Sequence, residues 1–352
     1  MLAAAGTARA DLVEDPCACS ANKPGFFRRG TLTGDWDGLR PQLKDDGIIP
    51  QATYAFEVFA APGLHDQIVI AGLGVASVDF DLGRLAGDDN ASVHVSGLGI
   101  HGDGLTAELM DIYGVSGNVA PTDVRLFEVW GEQPLGRATV RAGMLSADQE
   151  FILARHSTAL LNATFGIISQ LSTNVERPVY PFARPGVSAR FEVPGFTALA
   201  AVYDDNATEA HGVPTGFSGK PLLITEVEYD ELVKAGAWHD GENGDGVYAI
   251  VDHGVANRVG AFARVSYSPH RTVAGYADAG IRIGPGPFRR NDFIGAGVAY
   301  ALTSDTTLGS QSLFELTYQA QFGWLTIQPD FQLLLEHPRT TAIVATRVTI
   351  VL

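Results

Sequence analysis

Long apolar runs are missing from this chain of 352 residues. No stretch approaches the ~18 to 20 uninterrupted apolar residues of a membrane helix, because Gly or charge breaks every candidate. If the protein crosses a bilayer, it does so with strands. Cysteine is nearly absent: Cys17 and Cys19 are the only two. So close together they make at best a strained bridge, and no other ligand stands near enough for a metal site. Charge is sparse, at 18% of residues, and one-sided, with 24 Lys and Arg against 40 Asp and Glu for a net −16. That balance excludes nucleic acid as a partner and favours cations over anions near the surface.

Catalytic signatures are missing too. None of the 9 His forms a helical pair around a Glu, and there is no Gly-x-Ser-x-Gly elbow. Gly72-Leu73-Gly74 lies in a strand pattern with no helix after it, so it is no dinucleotide loop. The acidic, glycine-rich stretch 240–246 lacks the spacing and twelfth-position Glu of an EF-hand and reads as a turn. Neither an enzyme nor a cofactor is expected.

What the chain does have is alternation. In residues 314–335, Phe314, Leu316, Tyr318, Ala320 and Phe322 fall on one side and Glu315, Thr317, Gln319 and Gln321 on the other. After a turn, Leu325, Ile327, Phe331, Leu333 and Leu335 alternate with Thr326, Gln328, Asp330 and Gln332. A period of two over such length, with charges and amides on the second face, fits a transmembrane β-barrel with a wet lumen. Sixteen windows predict strands: 50–60, 68–81, 91–101, 122–132, 137–145, 185–193, 195–203, 222–230, 231–239, 246–253, 259–268, 272–283, 291–301, 311–321, 323–335 and 341–351. Tight turns at Val193-Pro194-Gly195, 229–231 and Phe322-Gly323 should mark one end, with the longer connections 102–121, 146–184 and 204–221 outside at the other.

Parity then turns Glu57, Arg141, Arg190, Glu226, Glu228, Lys234, Asp252, Arg264, Asp278, Arg282, Glu315 and Arg347 inward, lining the lumen with both signs of charge. A soluble sandwich would also alternate, but would bury its apolar face against a second sheet and would seldom hold so many Gly in its strands.

Organisation along the chain is simple. Residues 1–10 end in Ala8-Arg9-Ala10 and read as the remnant of a truncated signal peptide. Residues 11–47 form a leader with one amphipathic helix over 33–47, on which Trp36, Leu39 and Leu43 share a face that docks it. The barrel spans 48–352. Its longest connection, 146–184, has about 39 residues, too many for an idle surface loop when a lumen is available to fold into. It is the expected constriction. Within it Glu150, Phe151, Arg155, His156, Asn162, Gln170, Asn174 and Arg177 supply charges, amides and a ring, and Arg141 and Arg190 flank it. For any one of these residues the alternative is that its charge merely pairs to hold the loop on the wall.

Several blocks resemble the OprB-type carbohydrate-selective outer-membrane porins. They begin with Leu32-Thr33-Gly34-Asp35-Trp36-Asp37-Gly38-Leu39-Arg40, similar to the family's opening LTGDWGGLR. They continue at 125–130, Arg141-Ala142-Gly143, 148–151, Asn162, Phe165-Gly166, 234–239 and Gly246-Val247-Tyr248, and close at 314–318, 328–332 and Pro338. The resemblance implies an all-β, 16-stranded antiparallel barrel in the bacterial outer membrane, a short periplasmic N-terminal helix and an inward-folded loop that narrows a channel for sugars. Two features depart from the family: the last residue is Leu352 rather than an aromatic, and the loops look short.

Passive diffusion of mono- or small oligosaccharides is the expected function, with small carbohydrates and outer-membrane lipid as partners. Arg forks, carboxylates, amides and a ring suit hydroxyls on an apolar sugar face, bound weakly enough to be released. The alternatives are an export conduit for a polysaccharide and a soluble all-β carbohydrate-binding module. An outer-membrane hydrolase would need a Ser or Thr near His and a carboxylate at the rim. Neither the sugar nor the oligomeric state follows from the sequence.

Overall fold

The computed structural model describes residues 25–352 apart from 88–89, 106–108, 110–111, 176–177, 205–218, 220, 286–288, 290, 305–308 and 337. The expected signal remnant, Cys17, Cys19, Arg177 and most of the 204–221 connection lie outside the described residues.

Sixteen strands follow one another around a single closed sheet: β1 (Ile48–Ala61), β2 (His65–Asp81), β3 (Ser92–Gly102), β4 (Asp123–Leu135), β5 (Ala138–Leu145), β6 (Arg184–Val193), β7 (Phe196–Asp204), β8 (Pro221–Tyr229), β9 (Val233–Asp240), β10 (Gly244–Ala256), β11 (Val259–Tyr267), β12 (Val273–Ile283), β13 (Phe293–Thr303), β14 (Gln311–Phe322), β15 (Leu325–Glu336) and β16 (Arg339–Val351). Each is antiparallel to its neighbours in the chain. The seam closes where β1 meets β16, from Thr53 opposite Val351 to Ala60 opposite Val344. No strand edge is left unpaired, which is what a sheet in hydrocarbon requires.

Alternation assigns the two faces as expected. On β8, Leu223, Val227 and Tyr229 are exposed while Glu226 is buried, and on β14 Phe314 and Leu316 are exposed while Glu315 is wholly covered. Aromatic rings stand outward near both ends of the wall: Phe191, Phe196 and Tyr229 at one, Tyr267 and Tyr300 at the other. Such rings suit the two interfaces of a bilayer.

Connections at one end are short, as at 136–137, 194–195, 257–258 and 323–324, and both the N-terminal segment and Val351 lie there. Connections at the other end include 103–122 and 146–183. The second turns into the lumen, as expected. So does the first, which the sequence reading left outside: Leu105, Leu109, Tyr113 and Val115 are buried, because apolar side chains in a loop over a lumen must be covered by wall or by the other loop.

The N-terminal helix is shorter than the 33–47 expected. Only α1 (Leu39–Asp45) is α-helical, preceded by a tight turn over Trp36–Gly38 in which Trp36, Asp37 and Gly38 all take positive φ. Asp and Gly at these positions favour turns over helix. Trp36 therefore does not dock a helix face. It is exposed, bonds Thr33 through its indole at 3.0 Å and carries the Arg40 guanidinium 4.3 Å over its ring. Two further short helices are α2 (Leu82–Ala86) and α3 (Ser169–Asn174).

Candidate functional site: a lumen narrowed by an inward loop

The 146–183 loop is held by wall carboxylates that accept its backbone N–H groups. Ser146 donates to Glu128 on β4 at 3.0 Å, Ile152 to Glu226 on β8 at 2.9 Å, His156 to Asp252 on β10 at 3.0 Å, and Asn162 to Glu315 on β14 at 3.0 Å. These bonds to carboxyl oxygens replace the water that the loop's backbone N–H groups lose on entering the barrel. Small wall residues give it room. A Cβ at Gly260 would stand 1.8 Å from the His156 ring, and one at Gly297 would stand 2.5 Å from Leu160 and 2.9 Å from Phe165.

Side chains add to the grip. Glu150 accepts from Arg141 at 3.0 Å, Ser188 at 3.0 Å and Tyr203 at 3.1 Å, while Asn162 donates to Gln332 at 3.0 Å. Gln170 and Asn174, on α3, reach the carbonyls of Val273 and Ala274. The His156 ring bonds Asp252. Phe151 is fully buried, its edge toward Tyr203, so its ring touches protein rather than the passage.

Arg264 is the central fastening. Paired with Asp278 at 2.5 Å and only 1% exposed, it also donates to the loop carbonyls of Thr164 at 2.8 Å and Gly166 at 3.2 Å. The second inward loop is tied in the same way: Ser116 and Asn118 donate to Glu57 at 2.9 and 3.1 Å, and Arg347 bridges Glu57 and Ser116. Gly117 N–H then donates to the Leu161 carbonyl at 3.0 Å, which joins the two loops.

Water-accessible charge gathers along β4 to β9. A recess of about 300 Å³ is lined by Glu132, Thr139, Arg141, Glu150, Ser188, Arg190 and Glu192. A second, of about 380 Å³, includes Glu192, Thr197, Glu228, Asp230 and Glu231, so Glu192 borders both. Arg141 is fixed between Glu132 at 2.7 Å and Glu150 at 3.0 Å, with its guanidinium 3.9 Å over Trp130. Trp130 stacks in turn on His94 at 4.9 Å, whose Nδ1 is 2.6 Å from Asp79. Arg190 lies 3.8 Å from Glu192, and Lys234 lies 3.6 Å from Glu226 and 3.3 Å from Glu228. Arg155, at the loop's far reach, meets Glu231 at 3.3 Å with both side chains more than three-quarters exposed. Arg282 faces inward and covers the Phe293 ring at 4.5 Å.

Of the predicted contact residues, Arg141, Glu150 and Arg190 therefore come together at one recess and Arg155 stands apart near the next. His156 and Asn162 serve the loop's seating. Glu132, Thr139, Ser188 and Glu192 were missed, although each lies a few positions along a strand from, or directly across from, a residue already placed inward; parity alone would have found them. Burial pushes the Asp148 carboxyl, inside the loop, above its usual range, with bonds from Ser146 and the Tyr180 backbone working the other way. The Tyr180 phenol is raised as well, chiefly by burial.

A family model described as the carbohydrate-selective porin, OprB family, matches residues 71–251 and 239–351. The chain belongs to that family. Its fold is similar to that of Pseudomonas putida OprB in a high-pH structure, with TM-score 0.83 and 17% identity over 94% of this chain and 100% of the other. A low-pH structure of the same protein gives 0.65 and 16% over 92% and 99%. A mutant of the Rhodopseudomonas blastica porin gives 0.58 and 10% over 87% and 100%. No curated protein matches at a significant level. The chain is thus a carbohydrate-selective porin by family, and its closed 16-stranded wall is the architecture the family resemblance implied.

Proposed function

We propose that this porin sits in the bacterial outer membrane and lets neutral mono- and small oligosaccharides diffuse passively past the charged strip along β4 to β9, with no chemical step. The observation that carries the reading is the division of labour inside the barrel. Glu226, Asp252, Asp278 and Glu315 are spent on the loop, whereas Arg190, Glu192, Glu132 and Arg155 keep water-accessible faces.

A sugar hydroxyl both donates and accepts, so a lining of alternating guanidinium and carboxylate offers a partner in either sense. Because each cation is already near a carboxylate, it attracts no anion strongly, and a neutral solute is released readily. Arg141 is the rigid member, clamped by two carboxylates and an indole. Arg190 and Arg155 are held less closely, each beside one carboxylate, at 3.8 and 3.3 Å.

The test is current block by glucose or maltose in a planar bilayer, compared across Arg141→Ala, Arg155→Ala and Arg190→Ala. Weaker block for Arg141→Ala and Arg190→Ala is expected. Unchanged block in all three would remove this strip from the sugar path.

A further inference from the structure

Behind the recess, four adjacent strands build a row of rings and charges through their register. Asp79 on β2 is directly opposite His94 on β3, and His94 is directly opposite Trp130 on β4. Trp130 in turn is opposite Gly143 on β5, two positions along from Arg141. Residues directly opposite share a face of the sheet, so Asp79, His94 and Trp130 stand inward together with Arg141.

Contacts run along this row without a break. The His94 Nδ1 lies 2.6 Å from Asp79, and the imidazole stacks on the Trp130 indole at 4.9 Å with 15° between the planes. From the β5 side, the Arg141 guanidinium lies 3.9 Å from the centre of the same indole. Gly143 leaves the ring its place: a Cβ there would stand 2.9 Å from the Trp130 Cβ and 2.2 Å from the Val129 carbonyl oxygen.

The indole serves through its face. Its Nε1–H is buried with no hydrogen-bond partner among the described residues, a cost that a phenylalanine at this position would not carry. What an indole offers beyond a phenyl ring is stronger attraction for a cation over that face. Arg141 also gives three of its five N–H donors to carboxylates: two to Glu132, at 3.2 and 2.7 Å, and one to Glu150 at 3.0 Å. Two donors remain to it, and it lines the recess of about 300 Å³.

We propose that Asp79, His94 and Trp130 are positioning residues for sugar recognition, which fix the tilt of the Arg141 guanidinium so that its two remaining donors meet sugar hydroxyls. Asp79 stops the imidazole from turning, the imidazole backs the indole, and the indole holds the cation. His94 and Trp130 are buried, at 3% and 7% exposure, and act through Arg141 rather than by touching a solute. An arginine ordered in advance loses no rotamer freedom when a sugar arrives, whereas a loose one does. The role in recognition rests on the sugar path proposed above; the ordering of Arg141 does not.

The test reads both, on the purified full-length porin. In a planar bilayer, Trp130→Leu should weaken glucose block by about fivefold or more, as expected when a desolvated cation loses its ring. Trp130→Phe, which keeps a ring, should stay close to the wild type, and His94→Leu should fall between the two. In the Arg141→Ala background none of these changes should weaken block further. Wild-type block in Trp130→Leu overturns the proposal, and so does an equal additional loss on top of Arg141→Ala, which would mean that Trp130 acts by some other route. The second readout needs no sugar: the rate at which hydroxyphenylglyoxal modifies Arg141, mapped by mass spectrometry. Modification should be several times faster in Trp130→Leu and His94→Leu than in the wild type or Trp130→Phe, and equal rates in all four overturn the proposal. Should Trp130→Leu give no folded band, His94→Leu decides both readouts. A wild type that no sugar blocks, with Arg141 still protected by the ring, would count against the sugar path and leave the ordering of Arg141 standing.

Discussion

Arg264 and Asp278 show what a single side chain contributes inside this barrel. Both are buried, and the arginine also fastens two loop carbonyls. Arg264→Met leaves Asp278 as an uncompensated buried charge, so we expect a loss of about 3–5 kcal/mol in barrel stability. Adding Asp278→Leu should restore most of that stability without restoring the loop's fastening. The midpoint of heat-induced loss of the folded band, read beside single-channel conductance, separates the two effects: the double variant should melt near the wild type yet conduct more. At the recess, Arg190→Ala removes one charged hydrogen-bond donor, and about 1.5–3 kcal/mol for such a bond corresponds to at least tenfold weaker sugar block. Arg155→Ala should cost the fold almost nothing, since its partner Glu231 is as exposed as it is and such pairs are worth about 0–1 kcal/mol. At this scale the sequence was readable in one respect only. Period two turned Glu57, Arg264, Glu315 and the rest inward, but which cation meets which carboxylate depends on register across strands, as with Arg264 opposite Asp278 on β11 and β12.

The loop over 146–183 is the longest element folded into the lumen, and its length announced it. Its path was not announced, because it follows from backbone N–H groups, which every residue carries, meeting carboxylates on β4, β8, β10 and β14. For the same reason the polar side chains in the loop looked like solute contacts: composition does not separate a group that seats a loop from one that faces water. Phe151, taken from the sequence as a ring for a sugar face, is buried. Glu315→Gln keeps one acceptor but puts an amide NH2 where the second oxygen accepts, since Leu161 and Asn162 each donate to a different carboxyl oxygen; the loop should loosen, seen as noisier current and faster amide exchange over 159–165. Asp148 adds a pH term. A carboxyl whose proton is held more tightly in the folded chain stabilises that chain below its ordinary range, and the benefit is lost as pH climbs from there through the raised value. Exchange at 146–152 should therefore quicken from mildly acidic pH upward in the wild type and flatten in Asp148→Asn. The N-terminal helix was the element read least well, since Gly34, Asp37 and Gly38 broke a pattern that apolar spacing alone made continuous.

The molecule as a whole is a wall whose outside suits hydrocarbon and whose inside is largely spent on holding two loops across the hole. Strand count, order and closure were all legible, because a barrel has no edge and must alternate everywhere; a soluble sandwich would not leave Val124, Val247, Val265 and Leu316 exposed around its circumference. The position of the narrow passage was not legible, since it is whatever the loops leave uncovered. The most direct measurement is single-channel current of the purified full-length porin in a planar bilayer, titrated with mono- and disaccharides. Discrete, stable conductance steps that fall in a saturable way with added sugar are the predicted result. A protein that inserts and gives no steps, or whose current ignores every sugar added, would contradict it.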